Sequence, residues 1–341
     1  MTKLLTYPQI LNQVISGQNL SFEVMQSVMR QVMAGELTAA QISALLIALR
    51  IKGETVDEIA AAASVMRELS TKVNIQDSAH LIDTCGTGGD GIQTFNVSTV
   101  SAFVAAAAGA IVAKHGGRSV SSTCGSADVL EALGVNVNQT PEQVAHCVNT
   151  VGVGFMFAPN HHSAMKHAAP VRRELGVRTL FNLLGPLTNP ASAKRQVMGV
   201  FSKDLTAKLA QVLQQLGSEH VLVVCGADGM DEISFSGDTF VAELKAGQVS
   251  EYTLNPQQFG LSLHQLSSIQ VQNAAESKMM ILEVLGGNTG PARDIVLLNA
   301  GAAIYVAGIV NSLQASITKA AEVIDSGLAL AKLEALKSAT T

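Results

Sequence analysis

Between Phe22 and Ala34 apolar residues recur every three or four positions: Met25, Met29 and Met33, with Val28 and Val32 between them, and the run stops at Gly35. That spacing lines one face of a helix, and the methionines read as core or helix–helix contact. Thr38 with Gln41 forms a capping-box pattern opening a helix to Lys52, which Gly53 ends. Thr55 with Glu58 repeats the device for a helix reaching about Leu69. From about Leu81 the texture changes. Leu81-Ile82-Asp83 runs into a glycine loop, a helix-like stretch follows, and Ala110 to Gly117 reads as a strand ending in a second loop. Asp128–Leu133 and the stretch opened by Thr140-Pro141 are helical, Ser202 begins a helix stopping at Gly217, and residues 221–229 are a buried strand entering a turn. Strands alternating with helices predict an α/β domain whose sheet is largely parallel. The expectation is a small all-helical domain over residues 1–75 and a larger α/β domain over 76–341, with the boundary between Lys72 and Ala79. His161 to Leu175 also looks helical, so a segment at 161–180 is expected to join the helical domain.

Composition narrows the class. The 341 residues suit two domains, or one large domain with an appendage. Hydrophobic residues make up 48% and charged residues 14%, with a mean hydropathy of +0.30. The longest weakly polar stretch, Val100 to Ala113, is too short to span a bilayer. The first residues lack the apolar core of a signal peptide, so a cytosolic (cytoplasmic) protein with no membrane partner is expected. A net charge of −5 shows no basic footprint for a nucleic-acid partner. Four cysteines, Cys85, Cys124, Cys147 and Cys225, form no C-x-x-C and read as reduced structural thiols.

The chemistry concentrates in loops. Gly86, Gly88 and Gly91 satisfy G-x-G-x-x-G, yet Asp90 sits where a pyrophosphate would lie, and no acid follows about 20 residues on to hold a ribose. The glycines still suit a phosphate ligand through backbone N–H groups, provided that a cation or a sugar hydroxyl lies beside Asp90. Asn96-Val97-Ser98-Thr99 opens a helix; its polar side chains suffice as caps, and their hydroxyls suit an anion or Mg²⁺ equally. The loop Lys114 to Ser122 sets Lys, His, Arg and hydroxyls around Gly116 and Gly117, and Ser126 opens the next helix. Asp228-Gly229-Met230-Asp231-Glu232 crowds carboxylates on one turn, which stay solvated or share a cation. His161 and His162 lack a third ligand at metal spacing, so zinc is rejected. Of Arg172 and Arg173, one could hold a substrate carboxylate by a bidentate pair.

In this order, the elements GTGGDG, NVST, KHG-RSVSS, GSADVLEALG, HHSAMKHAAPVRRELGVRTLFNLLGPLTNP and DEIS resemble the anthranilate phosphoribosyltransferases, enzymes of tryptophan synthesis. The resemblance runs from about residue 4 to 330. It implies a helical domain hinged to an α/β domain with a mixed, mostly parallel sheet flanked by helices, and a homodimer formed through the helices. It implies Mg²⁺-dependent transfer (one or two ions per subunit) of phosphoribose from 5-phosphoribosyl 1-diphosphate to the amine of anthranilate. Gly86, Gly89, Asp90, Thr94, Asn96, Val97, Ser98 and Thr99 match donor contacts. Lys114, His115, Gly116, Gly117, Arg118, Ser119, Val120, Ser121, Ser122 and Ser126 match the second phosphate loop. Ser98, Asp231 and Glu232 match the metal positions, and Gly86, His162 and Arg172 the anthranilate positions. Three departures stand out: Gly117 replaces the family's asparagine, and Thr123-Cys124 replaces a lysine and a serine. Two rival readings are a type II nucleoside phosphorylase, which does not require the acidic pair, and a silent relative binding nucleic acid, which the net charge disfavours.

Overall fold

The computed structural model describes residues 5–118 and 124–341. The chain forms two compact units, one of residues 1–71 with 161–188 and one of residues 72–160 with 189–341.

In the first unit, α1 (Tyr7–Ile15), α2 (Phe22–Ala34), α3 (Ala39–Lys52) and α4 (Val56–Leu69) follow one another with short connections. The boundaries of α2, α3 and α4 fall where the caps and glycines put them. Thr38 and Gln41, and Thr55 and Glu58, both close reciprocal capping boxes, and Gly35 ends α2 in the left-handed region at φ +74°. Met25, Met29 and Met33 are buried, so the stripe is core. Ala60 to Ala63 on α4 are fully buried, which lets α2 approach closely. Glu58 is also fully buried. It accepts from Lys52 Nζ at 2.9 Å and from the N–H groups of Leu20 and Thr55, so the charge has the partners that burial demands. The continuous helix expected over 161–175 is corrected: Ser163–His167 is a 3₁₀ turn, and a separate helix spans Ala169–Leu175. Pro170 opens that second piece and has no N–H to continue the first.

The second unit is built on one seven-stranded sheet in the order β3-β2-β1-β4-β5-β6-β7. β1 (Leu81–Gly86), β2 (Ile111–Gly116), β3 (Val153–Phe157), β4 (Arg195–Gly199) and β5 (His220–Gly226) are parallel. β6 (Thr239–Lys245) and β7 (Gln248–Leu254) add an antiparallel hairpin, turned at Ala246-Gly247 with both φ angles positive. The sheet is mixed and mostly parallel, as expected. β1 to β3 build outward on one side and β4 to β7 on the other, so β1 and β4 flank the topological switch point, where ligands of such sheets bind. The alanine-rich α5 (Val97–Ala107) is buried over nearly its whole length and packs on the helix Pro291–Val306. Its small side chains permit that close packing, so the apolar run at 100–113 is core, divided between α5 and β2.

α6 (Ser126–Leu133) opens at Ser126, and the Asp128 carboxylate reaches back to the Gly125 N–H at 2.8 Å. One boundary differs from expectation. The helix expected from Ser202 opens as a 3₁₀ turn at Lys203–Leu205 and becomes α-helical only over Thr206–Gln215. α7 (Pro141–Val151) starts at its predicted cap. All four cysteines are buried and free. Among the described residues no helix is long and apolar enough to cross a membrane.

Candidate active site

Strands β1, β4 and β5 each end in glycine, at Gly86, Gly199 and Gly226, and the turn 228–232 lies against those ends. A Cβ at Gly86 would stand 2.3 Å from Asp231 Oδ2. At Gly199 it would stand 1.5 Å from the Asp231 carbonyl oxygen, and at Gly226 2.3 Å from Asp228 Oδ1. At Gly199 a side chain would exclude the turn, and at Gly86 and Gly226 it would displace a carboxylate of the turn. Gly86 was visible as part of the first loop. Gly199 and Gly226 were not singled out, although an apolar strand closed by glycine was the signal in all three.

The contacts that join the loops are few and specific. Gly88 N–H donates to Asp231 Oδ2 at 2.7 Å, and Ser98 N–H, at the start of α5, donates to Glu232 Oε1 at 3.1 Å. Gly88 and Gly89 hold φ angles of +65° and +78°, a region that favours glycine. Asp90 turns back on its own loop, accepting from Ile92 N–H at 3.1 Å. Burial, then the nearby Asp90 carboxylate, pushes the Asp231 carboxyl well above the usual range. Burial, then Asp231, pushes Glu232 up as well, against the pull of Lys114. Asp228, in the same turn, is different. The hydroxyls of Ser234 and Ser236 donate to it at 2.6 and 2.5 Å, and it also accepts from Met230 N–H. It is satisfied by its own turn, whereas Asp231 faces the glycine loop and Glu232 the start of α5.

Two carboxylates that disfavour each other, one of them bonded by the Ser98 N–H, offer with the Ser98 hydroxyl an all-oxygen donor set, the chemistry of a hard divalent cation. Among the described residues no cluster of three or more His, Cys, Asp or Glu is arranged to hold an ion alone. Mg²⁺ bound here would complete its shell with water or substrate oxygens, its usual habit.

Lys114 and His115 are corrected from loop to strand. Both are buried in β2, where Lys114 Nζ donates to the Thr84 carbonyl and to Ser98 Oγ at 3.2 Å. The Lys114 ammonium therefore underlies Ser98 within the sheet. Beside it, the buried Asp83 accepts from His115 N–H at 3.0 Å and from Asn189 Nδ2 at 2.7 Å, which ties β1, β2 and the 189 turn together. The capping reading of Asn96 is also corrected. It occupies the N-cap of α5 without a side-chain cap bond, donating instead to the Cys124 carbonyl at 3.1 Å and accepting from Ser277 Oγ at 2.7 Å. Asn96 thus ties the first loop to the segment after the second. Val97 is buried, and its N–H is taken by the Phe95 carbonyl. Thr99 Oγ1 donates to Ser126 Oγ at 3.1 Å. Thr94 forms an isolated bridge with Gln270.

In the second loop, Gly116 lies against the Phe155 ring, whereas a Cβ at Gly117 would meet nothing within 4 Å, so the family's asparagine would find open space there. The Arg118 guanidinium contacts Asp128 at 2.8 Å and Glu131 at 2.7 Å and lies over the Phe157 ring. Ser119, Val120, Ser121 and Ser122 lie outside the described residues. In the helical unit, His162 is buried, and the half-buried Arg172 lies over the Phe181 ring at 5.5 Å. Burial pulls Arg172 below the usual arginine range, and among the described residues no carboxylate is within ion-pair distance of it.

A family model described as the helical bundle domain of a glycosyl transferase family matches residues 8–70, and one for the a/b domain of that family matches residues 78–330. The chain is 66% identical to the anthranilate phosphoribosyltransferase of Methylobacillus flagellatus, over 96% of each protein. It is 59% identical to that of Chromobacterium violaceum, over 98% of this chain and 97% of the relative. The chain belongs to the anthranilate phosphoribosyltransferase family. Solved members of that family share its architecture. The Thermus thermophilus enzyme superposes with a TM-score of 0.92 at 44% identity, covering 97% of this chain and 98% of that one. The Saccharomyces cerevisiae enzyme, solved in complex with PRPP and Mg, superposes with a TM-score of 0.84 at 29% identity, covering 99% and 96%.

Proposed function

We propose that the chain transfers the 5-phosphoribosyl group of 5-phosphoribosyl 1-diphosphate to the amine of anthranilate, releasing diphosphate, with Mg²⁺ as cofactor. One observation carries the reading: the glycine loop after β1 and the Asp231-Glu232 turn after β5 meet through Gly88 and Ser98 at the carboxyl edge of the parallel strands. A dinucleotide site has no use for three acids there. A sugar diphosphate with a divalent cation accounts for all of them. The family's yeast member, solved with PRPP and Mg, supports the same ligands.

In the transfer, the C1–O bond to diphosphate breaks with its electron pair leaving on oxygen. The amine nitrogen bonds to C1 and gives its proton to solvent. Ser98, Asp231 and Glu232 would hold Mg²⁺, with one or two ions per subunit. When bound, the cation offsets the charge of the departing diphosphate. The N–H groups of Gly86 and Gly89 receive the diphosphate, as fixed dipoles that need no reorganisation during the reaction. Asp90 accepts from ribose hydroxyls. Thr94, Asn96, Val97, Thr99 and Ser126, with His115 to Arg118, are the remaining candidate donor contacts. Lys114, buried under Ser98, places its amino group beneath the site. Arg172 of the helical unit pairs with the anthranilate carboxylate, with His162 of the same unit as a further acceptor contact. An aromatic amine is already a neutral nucleophile, so catalysis rests on positioning and electrostatics.

The helical unit supports a homodimer. Leu11, Val14, Ile47 and Ile51 line an apolar groove between α1 and α3, and Ile15 and Ile51 are 65% and 81% exposed beside it. Sedimentation velocity is expected to return a dimer; a monomer at every concentration overturns this assignment. The test of the reaction is the loss of anthranilate fluorescence, expected only when donor and Mg²⁺ are both present. In Arg172→Ala the anthranilate KM should rise about tenfold or more, well beyond the donor KM, since a charge-assisted bidentate pair is lost. No fluorescence loss with saturating substrates overturns the reaction, and equal rises in both KM values overturn the role of Arg172.

A further inference from the structure

The sheet edge opposite the glycine-ended strands carries a concave site that the transfer reaction does not use. A cavity of about 450 Å³ lies where Leu81 begins β1, Arg195 begins β4 and Glu219 precedes β5. The length of β1 sets it roughly 17 Å from the GTGGD loop, at about 3.3 Å per strand residue.

Its walls are the segments 72–75 and 190–192, and they are held firmly. Val73 N–H donates to the Pro190 carbonyl at 3.2 Å, and Ser192 N–H donates to the Asn189 carbonyl at 3.1 Å. Ser192 sits at φ +55°, a conformation that costs a non-glycine residue free energy and persists where its surroundings impose it. Here Asn189 imposes it. Its Oδ1 accepts from Ala191 N–H at 2.9 Å, and its Nδ2 donates to buried Asp83 and to the Ala113 carbonyl. The floor is apolar, made by buried Val73, Leu81 and Ala191. The rim carries Lys72, Lys194 and Arg195 against the single carboxylate of Glu219, which contacts Lys194 at 3.2 Å and Arg195 at 3.6 Å. Lys194 and Arg195 share that one acid in a chain of net charge −5. A cationic rim over an apolar floor, on a wall fixed by buried hydrogen bonds, suits an oxyanion with a compact apolar body.

We propose that this cavity is a second ligand site, separate from the donor and acceptor sites, for a small organic anion: a carboxylate or a phosphate monoester attached to a compact apolar group. The anionic oxygens pair with Lys194 and Arg195, displacing part of their contact with Glu219, and the apolar body covers Leu81 and Ala191.

Methyl NMR of the full chain tests this with three probes: benzoate, phenyl phosphate and inorganic phosphate. At least one organic probe should shift the Val73, Leu81 and Ala191 methyls saturably, and inorganic phosphate should do so at least about tenfold more weakly, because it lacks the apolar body. Whether benzoate or phenyl phosphate binds tighter decides the head group. Lys194→Glu should weaken the binding about tenfold or more, and Glu219→Gln should tighten it by about threefold, with salt reducing both effects. Both side chains are more than half exposed, so the variants are expected to melt with the parent. If one variant melts early, the other still decides by the direction of its change. Silent methyls with every probe, an affinity unchanged in the folded variants, or inorganic phosphate binding as tightly as the organic probes overturns the proposal. So does a shift that disappears in Arg172→Ala, which would place the ligand at the acceptor site.

Discussion

The helical unit and the carboxyl edge of the sheet are organised on opposite principles. In α3 the Thr38 N–H donates to Gln41 Oε1 at 2.9 Å and the Gln41 N–H donates back to Thr38 Oγ1 at 3.2 Å. In α4, Thr55 and Glu58 do the same. Each helix start is settled by partners three residues apart. At the sheet edge the decisive bonds join Gly88 to Asp231, 143 positions away, and Ser98 to Glu232, 134 positions away. Local partners specify an element. Distant partners assemble a site, and they can leave carboxylates less well satisfied than a local turn would. Asp228 makes the contrast within one turn: its serine partners are six and eight residues on, and it is fully occupied by structure.

The largest expected effect breaks the distant side of this comparison. Asp231→Asn with Glu232→Gln should lower kcat/KM by roughly a thousandfold or more, about 4 kcal/mol of transition-state stabilisation, in a steady-state fluorescence assay. The fold should persist. Both folded carboxyls titrate above the usual range, so their contribution to stability is full below the ordinary carboxylate pKa and is lost as pH rises through the raised values. Without metal, the double variant should therefore melt above the parent at neutral pH and lose that advantage in acid. Calorimetry showing the reverse order would mean that the pair stabilises the metal-free fold. Gly199→Ala comes next. A Cβ 1.5 Å from a backbone carbonyl has no side chain to push aside, so the 228–232 turn must move. A loss of about 3 kcal/mol or more in urea unfolding, together with most of the activity, is expected; a variant as stable and active as the parent removes the wedge from the account. The smallest effect belongs to the local side. Thr38→Ala removes one cap and should cost about 1 kcal/mol, with kcat unchanged. A fall in kcat as large as the fall in stability would show that α3 and the chemistry are coupled.

Much of the fold was legible because its signals are short-range. The glycine stops at Gly35 and Gly53, the capping boxes and the apolar centre of β5 each report a local free energy, and α3 and α4 begin, and α2 and α3 end, where those signals lie. Segments governed by competing contacts were less legible. The stretch 161–175 has helical composition but contains Pro170. Asn96 has an ideal N-cap side chain, yet Ser277, 181 residues later, claims it.

By itself the sequence determined the element types, the α/β class and the family, since capping, periodicity and a run of motifs are carried by neighbouring residues. Only the tertiary structure decided that Lys114 lies buried under Ser98, that Asp228 serves its own turn while Asp231 faces the glycine loop and Glu232 the start of α5, and that Gly199 and Gly226 make room for that turn. The burial of Lys114, the partners of Asp231 and Glu232 and the room at Gly199 depend on groups that meet across more than ten residues of chain, and the Asp228 turn on a folded loop that brings its serines back to it. Burial and Coulomb repulsion act through space, and no local pattern records who the neighbour will be.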